Sequence, residues 1–157
     1  MAVIMLVVAS LVFIFMAAEA WTADQIQVKP DQITWGPMPS GLPPGAQSAL
    51  LSGDPGSSGP FVIRVKAPAG YTVPPHHHSK DEDVTLIAGK VGFGMGETLS
   101  KDLDKAFPAG SFAHMPVGMV HSAWSEEDSI IQISGVGPFD IIYVNATDDP
   151  RNQAGSK

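Results

Sequence analysis

The chain has 157 residues, of which 44% are hydrophobic and 16% are charged, so it is long enough for one domain with a buried core. Its formal net charge of −7 argues against a nucleic-acid surface, which needs clustered cations to replace phosphate counterions. It contains no cysteine, which excludes disulfides, thiolate zinc sites, iron–sulfur clusters and cysteine nucleophiles. Any bound metal must therefore take its ligands from His, Asp, Glu or backbone oxygen.

The first twenty residues form an apolar segment that differs from the rest of the chain. Residues 3–16 are apolar except for Ser10, and Ala18-Glu19-Ala20 follows as a small-x-small pattern of the kind that signal peptidase accepts. We predict that residues 1–20 are a secretory signal peptide and that the mature protein is exported, either periplasmic or secreted. The alternative is an N-terminal membrane anchor, because about 18 apolar residues nearly span a bilayer. After signal cleavage we expect no membrane association.

The remaining residues carry the pattern of short β-strands. Residues 21–60 are predicted to form a Pro/Gly-rich arm with the first strands, and residues 61–150 a β-barrel. From Phe61 onwards the apolar residues alternate with a period of two, and turn signals such as Pro68-Ala69-Gly70 separate the runs. Many short strands at regular spacing indicate an all-β sandwich or barrel. Residues 151–157 are nearly free of apolar side chains and are predicted to be a flexible tail.

Five histidines are present, and three of them are consecutive. On a strand His76 and His78 point to one side and His77 to the other, because side chains alternate between faces. Glu82 has the same parity as His78 if the chain stays extended, so a barrel strand would aim two imidazoles and a carboxylate at one interior spot. That ligand set suits a first-row divalent metal. A neighbouring strand could complete the site, and the remaining imidazoles are His114 and His121.

The spacing of these residues resembles the two signatures of the cupin superfamily. The first signature corresponds to a set in which every spacing is kept: Gly70, His76, His78, Glu82 and Gly89. The second corresponds to Gly110, Pro116, Gly118 and His121, although the usual final Asn is replaced by Ser125. Five fixed residues at fixed spacing are far more specific than a lone Gly-rich motif. The two signatures together cover residues 70–125.

The resemblance implies an all-β fold, a small jelly-roll-like double-stranded β-barrel with a metal in its mouth. Carried over position by position, the metal ligands are His76, His78, Glu82 and His121. Four ligands leave two cis positions of an octahedron for water, substrate or oxygen, and open positions distinguish a reactive metal from a structural one. The cofactor is expected to be one divalent transition metal, namely Fe, Mn, Zn or Ni. By resemblance alone we also expect a homodimer.

Several residues near the ligands are candidates for supporting roles. His114 could line the barrel as an acid or base, or it could be a surface imidazole. Phe93, Met95 and Met119 are candidate pocket-lining residues, the first two because they alternate with glycines and the third because it precedes His121 by two residues. Trp124 has the opposite parity to His121 and should face away from the metal.

Two classes of function fit these features. The first is a metal-dependent enzyme that acts on a small organic acid or aromatic compound, either as a dioxygenase-like oxidoreductase or as a decarboxylase. The second is a non-catalytic module in the periplasm that binds a metal or a small molecule. Both readings imply a small-molecule ligand and no nucleic-acid partner.

Overall fold

The computed structural model describes residues 25–101 and 106–153. The predicted signal peptide or anchor at residues 1–20 lies outside the described residues. Within the described part of the chain, no helix has the length and apolar character needed to cross a membrane.

The described residues form eleven strands and three short helical segments. The strands are β1 (Gly36–Pro37), β2 (Gln47–Ser52), β3 (Gly59–Ala67), β4 (Thr72–His77), β5 (Glu82–Ala88), β6 (Lys90–Met95), β7 (Phe107–Pro108), β8 (Phe112–Met115), β9 (His121–Ser125), β10 (Ser129–Gly137) and β11 (Ile142–Tyr143). Two 3-10 segments lie at Pro30–Gln32 and Ala146–Asp148, and a single helical turn, α1, spans Pro150–Gln153. The prediction of an all-β protein is therefore confirmed.

The strands belong to two antiparallel sheets that face each other. One sheet has six strands in the order β1-β2-β3-β10-β5-β8, and the other has five in the order β11-β4-β9-β6-β7. Strands that are adjacent in sequence repeatedly lie in different sheets, so the chain crosses between the two layers as in a jelly roll. This architecture confirms the predicted double-stranded β-barrel.

The core between the sheets follows the period-two pattern of the sequence. On β3 the inward side chains of Phe61 and Val65 are 1% and 3% exposed, and they share one cluster with Val84 and Ile133. Phe61 also packs against Phe139, with ring centroids 5.1 Å apart. Burying large apolar side chains on one face of each sheet is the main stabilising contribution in such a sandwich.

Two signature glycines occupy turns that require a positive φ. Gly89 has φ 82° in the one-residue connection between β5 and β6, where a Cβ would lie 2.5 Å from the Asp128 carbonyl oxygen. Gly118 has φ 76°, and its N–H donates a 3.0 Å hydrogen bond to the carbonyl of His78. The second turn therefore ties the loop before β9 to the end of β4, next to the predicted ligands.

The boundaries predicted at residues 61 and 151 can be compared with the observed strands and helical turn. β1 and β2 already pair with each other in residues 36–52, and the boundary at residue 61 falls inside β3. Residues 151–153, predicted as part of a flexible tail, form most of the helical turn α1. There the Arg151 guanidinium donates to the carboxylate of Asp149 and, over 3.0 Å, to the carbonyl oxygen of Ile141.

Candidate metal centre

The four predicted ligands meet at one place between the two sheets. His76, His78 and His121 are 4%, 6% and 2% exposed, and one ring nitrogen of each lies within 4.8 Å of the others. Glu82 is equally buried, and its Oε2 lies 3.3 Å from Nε2 of His121 and 3.6 Å from Nε2 of His78. The structure thus brings together three imidazoles and one carboxylate from two separate segments of the chain.

Strand pairing explains how these segments converge. His76, near the end of β4, is the direct partner of His121 at the start of β9. His78 follows the last residue of β4, and Glu82 begins β5 in the opposite sheet. The five-stranded sheet and its adjoining loop therefore supply the imidazoles, whereas the six-stranded sheet supplies the carboxylate.

Each of the three imidazoles is held through its Nδ1. The Nδ1 of His76 is 2.7 Å from the carbonyl oxygen of Pro74, and that of His121 is 3.1 Å from the carbonyl oxygen of Met119. The Nδ1 of His78 contacts the carbonyl oxygen of Asp140. A carbonyl oxygen only accepts hydrogen bonds, so each neutral ring must carry its proton on Nδ1 and present a lone pair on Nε2. Carbonyl-bonded imidazoles of this kind are the usual arrangement around protein-bound metals.

The atoms that face the centre of the cluster are all acceptors when the rings are neutral. His78 Nε2 is buried and has no hydrogen-bond partner, and His121 Nε2 points its lone pair toward the Glu82 carboxylate. Buried acceptors that face each other are unfavourable unless a cation lies between them. The residues present therefore fit a divalent metal ion with nitrogen and oxygen ligands.

The electrostatic surroundings favour the neutral form of two of the imidazoles, those of His76 and His78. Burial, together with the neighbouring imidazole of His121, lowers the pKa of His76 to about 3. Burial also lowers the pKa of His78. For Glu82, burial opposes ionisation, but the three imidazoles beside the carboxyl group outweigh it, so the pKa is lowered. Neutral imidazoles and an ionised carboxylate are the forms that bind metal.

The cluster opens onto a cavity of about 300 Å³ between the sheets. Its wall is mainly apolar, and Phe139 stacks on His78 with ring centroids 4.5 Å apart. The apolar wall is formed chiefly by these residues: Ile63, Val65, Val73, Val84, Val91, Phe93, Ile131, Ile133 and Phe139. A metal held by the four ligands would therefore face a sizeable, largely apolar space.

The other candidate residues are distributed unevenly around this cavity. Phe93 lies in the wall, whereas Met95 is 55% exposed and Met119 is 39% exposed, and neither lines the cavity. Met119 nevertheless supports the site through its carbonyl oxygen, which accepts from His121. His114 lies on β8 with its half-exposed ring 2.7 Å from the Asp83 carboxylate, outside the cavity. His77 is also absent from the cavity wall, in agreement with its parity.

Residues from the arm and from the end of the chain close the cavity, and the sequence pattern did not identify them. Met38, Gly41 and Leu42 line it on one side, and Arg151 lines it beside them. Two buried phenols fix this arm, because Tyr71 donates to the carbonyl of Pro43 over 2.7 Å and Tyr143 to that of Gly41 over 2.9 Å. The sequence offered one clue to this contact: the chain has two tyrosines, and a buried tyrosine hydroxyl needs a hydrogen-bond partner.

Two aligned sheets around an interior site of three histidines and one glutamate define a cupin. A family model described as the ChrR cupin-like domain matches residues 23–140, and the chain belongs to that family. No curated protein matches the chain significantly in sequence.

Several solved structures share the fold at low sequence identity. A candidate acetylacetone dioxygenase from Methylibium petroleiphilum PM1 has a TM-score of 0.63 and 21% identity, covering 85% of this chain and 90% of its own. An acetylacetone dioxygenase from Acinetobacter johnsonii has a TM-score of 0.61 and 15% identity, covering 87% and 88%. The polyketide cyclase RemF from Streptomyces resistomycificus has a TM-score of 0.65 and 13% identity, covering 83% and 93%. At these identities the likeness concerns the fold.

Proposed function

We propose that this cupin is a metal-dependent enzyme, dioxygenase- or decarboxylase-like, that acts on a small organic acid or aromatic compound. One observation carries the proposal: three carbonyl-anchored imidazoles and a buried carboxylate converge on the wall of a large apolar cavity. Structural metal sites are closed by protein ligands, whereas a four-ligand site beside a cavity leaves room for a substrate. The solved neighbours named as acetylacetone dioxygenases support this class of chemistry.

The described residues would divide the work as follows. The Nδ1 hydrogen bonds to Pro74, Asp140 and Met119 fix the orientation of the three rings. A divalent ion held there would act as a Lewis acid toward an oxygen-bearing substrate and, if it is redox-active, toward oxygen. The apolar wall would exclude water and hold the body of the substrate. At about 300 Å³ the cavity has roughly twice the volume of an engineered apolar cavity of about 150 Å³ that binds benzene.

Metal analysis combined with an activity assay tests the proposal. The purified protein should contain close to one divalent ion per chain, and metal loading should give oxygen consumption or carbon dioxide release with small enolic acids, β-diketones or catechols. Glu82→Gln should reduce both metal content and turnover, whereas His114→Gln, which alters a ring outside the cavity, should preserve both. A protein that binds metal and small molecules without turning any of them over would instead be a binding module. A protein without metal would contradict the proposal entirely.

We further propose that the protein is exported and forms a homodimer. The apolar segment before Trp21 supports the first point, and the resemblance to small cupins supports the second. Light scattering on the mature protein tests the dimer, and a monomeric mass at micromolar concentration would contradict it.

A further inference from the structure

The cavity contains one Lys or Arg side chain among the described residues that line it, and that residue is Arg151. The Arg151 side chain is 46% exposed, so it lies where the cavity meets solvent. It also lies beyond the part of the chain that the family model matches, which ends at residue 140. Its position is therefore a feature of this chain that the family membership does not explain.

Two nitrogens of the Arg151 guanidinium donate hydrogen bonds within the protein, and the third, Nη1, has no partner among the described residues. Nε and Nη2 donate to the two carboxylate oxygens of Asp149 over 2.8 and 2.7 Å, and Nη2 also donates to the carbonyl of Ile141. Within the described residues Nη1 has no hydrogen-bond partner. A forked pair fixes the plane of a guanidinium, so the N–H groups of Nη1 point in a defined direction.

Gly41, in the arm that closes the cavity, lies beside this guanidinium. A Cβ at Gly41 would lie 3.5 Å from Nη1 and 3.6 Å from Cζ, so the bare backbone of Gly41 faces the guanidinium. Gly41 and Ile141 both line the cavity next to Arg151. Because Gly41 has no side chain, this residue does not cover Nη1, although a Cβ there would also lie 3.2 Å from Cγ2 of Ile141, so the space beside the guanidinium is narrow.

Among the described residues of the wall, Arg151 is the one permanently cationic donor available to an anionic ligand. The ligand cluster accounts for His76, His78, Glu82 and His121, and the Asp140 carboxylate accepts from the backbone N–H of Ser79 over 2.8 Å. Between these groups and Arg151 the wall is mostly apolar, with Tyr71, Trp124 and Ser125 also present in the lining. A molecule that fills the cavity can therefore place an electron-pair donor at two sites, the metal centre and the Arg151 guanidinium, with largely apolar surface between them.

We propose that Arg151 is a substrate-binding residue that selects an acidic group. The substrate would be a small molecule with oxygen ligands for the metal, an apolar middle and a carboxylate or similar anion that accepts hydrogen bonds from Nη1. This inference rests on the proposed function, because it assumes that the same cavity holds the substrate at the metal. It narrows the substrate class to bifunctional acids.

Calorimetric titration of the zinc-loaded mature protein tests the inference without requiring turnover. The probes are the α,ω-dicarboxylates from succinate to suberate, each compared with the monocarboxylate of the same chain length. In both series one carboxylate can bind the metal. Any higher affinity of the dicarboxylate therefore shows that a second group of the protein binds its second carboxylate. At least one dicarboxylate should bind about tenfold tighter than its monocarboxylate, as expected for a charge-assisted hydrogen bond.

Variants assign that gain to Arg151. Arg151→Met should abolish the difference between the two series while leaving monocarboxylate affinity unchanged, and Arg151→Lys should retain part of it. Arg64→Met is the matched control, because Arg64 bonds Gln132 on the outer side of the six-stranded sheet and does not line the cavity. The gain should survive in that control.

The outcomes separate this inference from the proposed function. Loss of zinc binding in the wild type would contradict the proposed function and the inference with it. Zinc binding without any gain for the dicarboxylates would overturn the role of Arg151 alone. A gain that persists in Arg151→Met would do the same. If Arg151→Met does not fold, Arg151→Lys decides the question: a gain smaller than that of the wild type would still assign it to the guanidinium, and an undiminished gain would overturn the role of Arg151.

Discussion

His76 and His121 are direct partners across the β4–β9 pair, and their ring centroids lie 4.3 Å apart. Residues opposite each other in an antiparallel pair point to the same face of the sheet, so the pairing register alone places both imidazoles on the cavity side. A slip of one residue would turn one ring to the other face. The irregular pairing between Val73 and His76 sets this register.

We expect His121→Ala to reduce metal affinity by at least 10-fold to 100-fold, the range reported for the loss of a group that merely supports a ligand. The substitution removes the ligand that the second signature contributes, and it leaves the Glu82 carboxylate without its neighbour at 3.3 Å. Competition with a chromogenic chelator, titrated with zinc at neutral pH, gives the affinity.

His77→Ala is the matched control for this experiment. It removes an imidazole from the same run of histidines, but His77 does not line the cavity. Its metal affinity should stay close to that of the wild type, because His77 is half-buried away from the cavity and supplies no ligand. Equal losses in the two variants would show that strand parity does not select the ligands.

The metal-free protein should lose stability as the pH falls from about 6.5 toward 3. The pKa of His76 is about 3 in the folded state and 6.5 in the unfolded state, so in this window the unfolded chain binds more protons. Stability then rises with pH across the window and falls on acidification. At about 1.4 kcal/mol per pKa unit, His76 accounts for at most about 5 kcal/mol of this change.

Urea unfolding of the metal-free protein at a series of pH values measures this effect. His76→Gln should show a shallower dependence on pH, because its buried side chain does not titrate. His114→Gln, which removes a half-exposed imidazole, is the comparison. A slope in His76→Gln as steep as that of the wild type would mean that burial of His76 does not control the acid sensitivity. The same protonation should release metal, so occupancy should fall as imidazole titrates.

His76 and His78 could be predicted from strand parity, whereas Glu82 follows a bend at residues 79–80 and begins a strand of the opposite sheet, and His121 is assigned by the resemblance to the second cupin signature. His76, His78 and Glu82 lie within seven positions, and Gly118 forces the turn that returns His121 to them. The backbone of Ser125, which replaces the usual Asn, still closes the end of β9 by bonding Tyr71 and Gly70.

The closure of the cavity could not be predicted in the same way. Gly41 and Arg151 meet only because the arm and α1 fold over one end of the sandwich, and such loop contacts leave no periodic pattern. Met95 alternates correctly with Phe93 but lies at the end of β6, beyond the covered part of the sheet, and is exposed. Parity predicts which face a side chain takes, and it does not predict how far the opposite layer extends.

Export can be checked directly on the product. The small residues at Ala18 and Ala20 predict cleavage after Ala20, because signal peptidase requires small side chains at these two positions. Expression of the full chain in a host with a Sec pathway should give an intact mass that begins at Trp21. Ala18→Leu together with Ala20→Leu should block processing. A membrane-bound product that retains Met1 in the unmodified chain would support the anchor.

Gly92→Ala should destabilise the fold by about 1–3 kcal/mol, the usual cost of overpacking. Trp124 is only 3% exposed, because its indole lies over Gly92 of the neighbouring strand. A Cβ at Gly92 would collide with the benzo ring and lie 2.8 Å from Nε1. Gly36→Ala is the control, since its Cβ would meet only the Ser48 carbonyl oxygen at 3.9 Å. Thermal unfolding should show a lowered midpoint for Gly92→Ala alone, and equal midpoints would mean that the indole can move aside without cost.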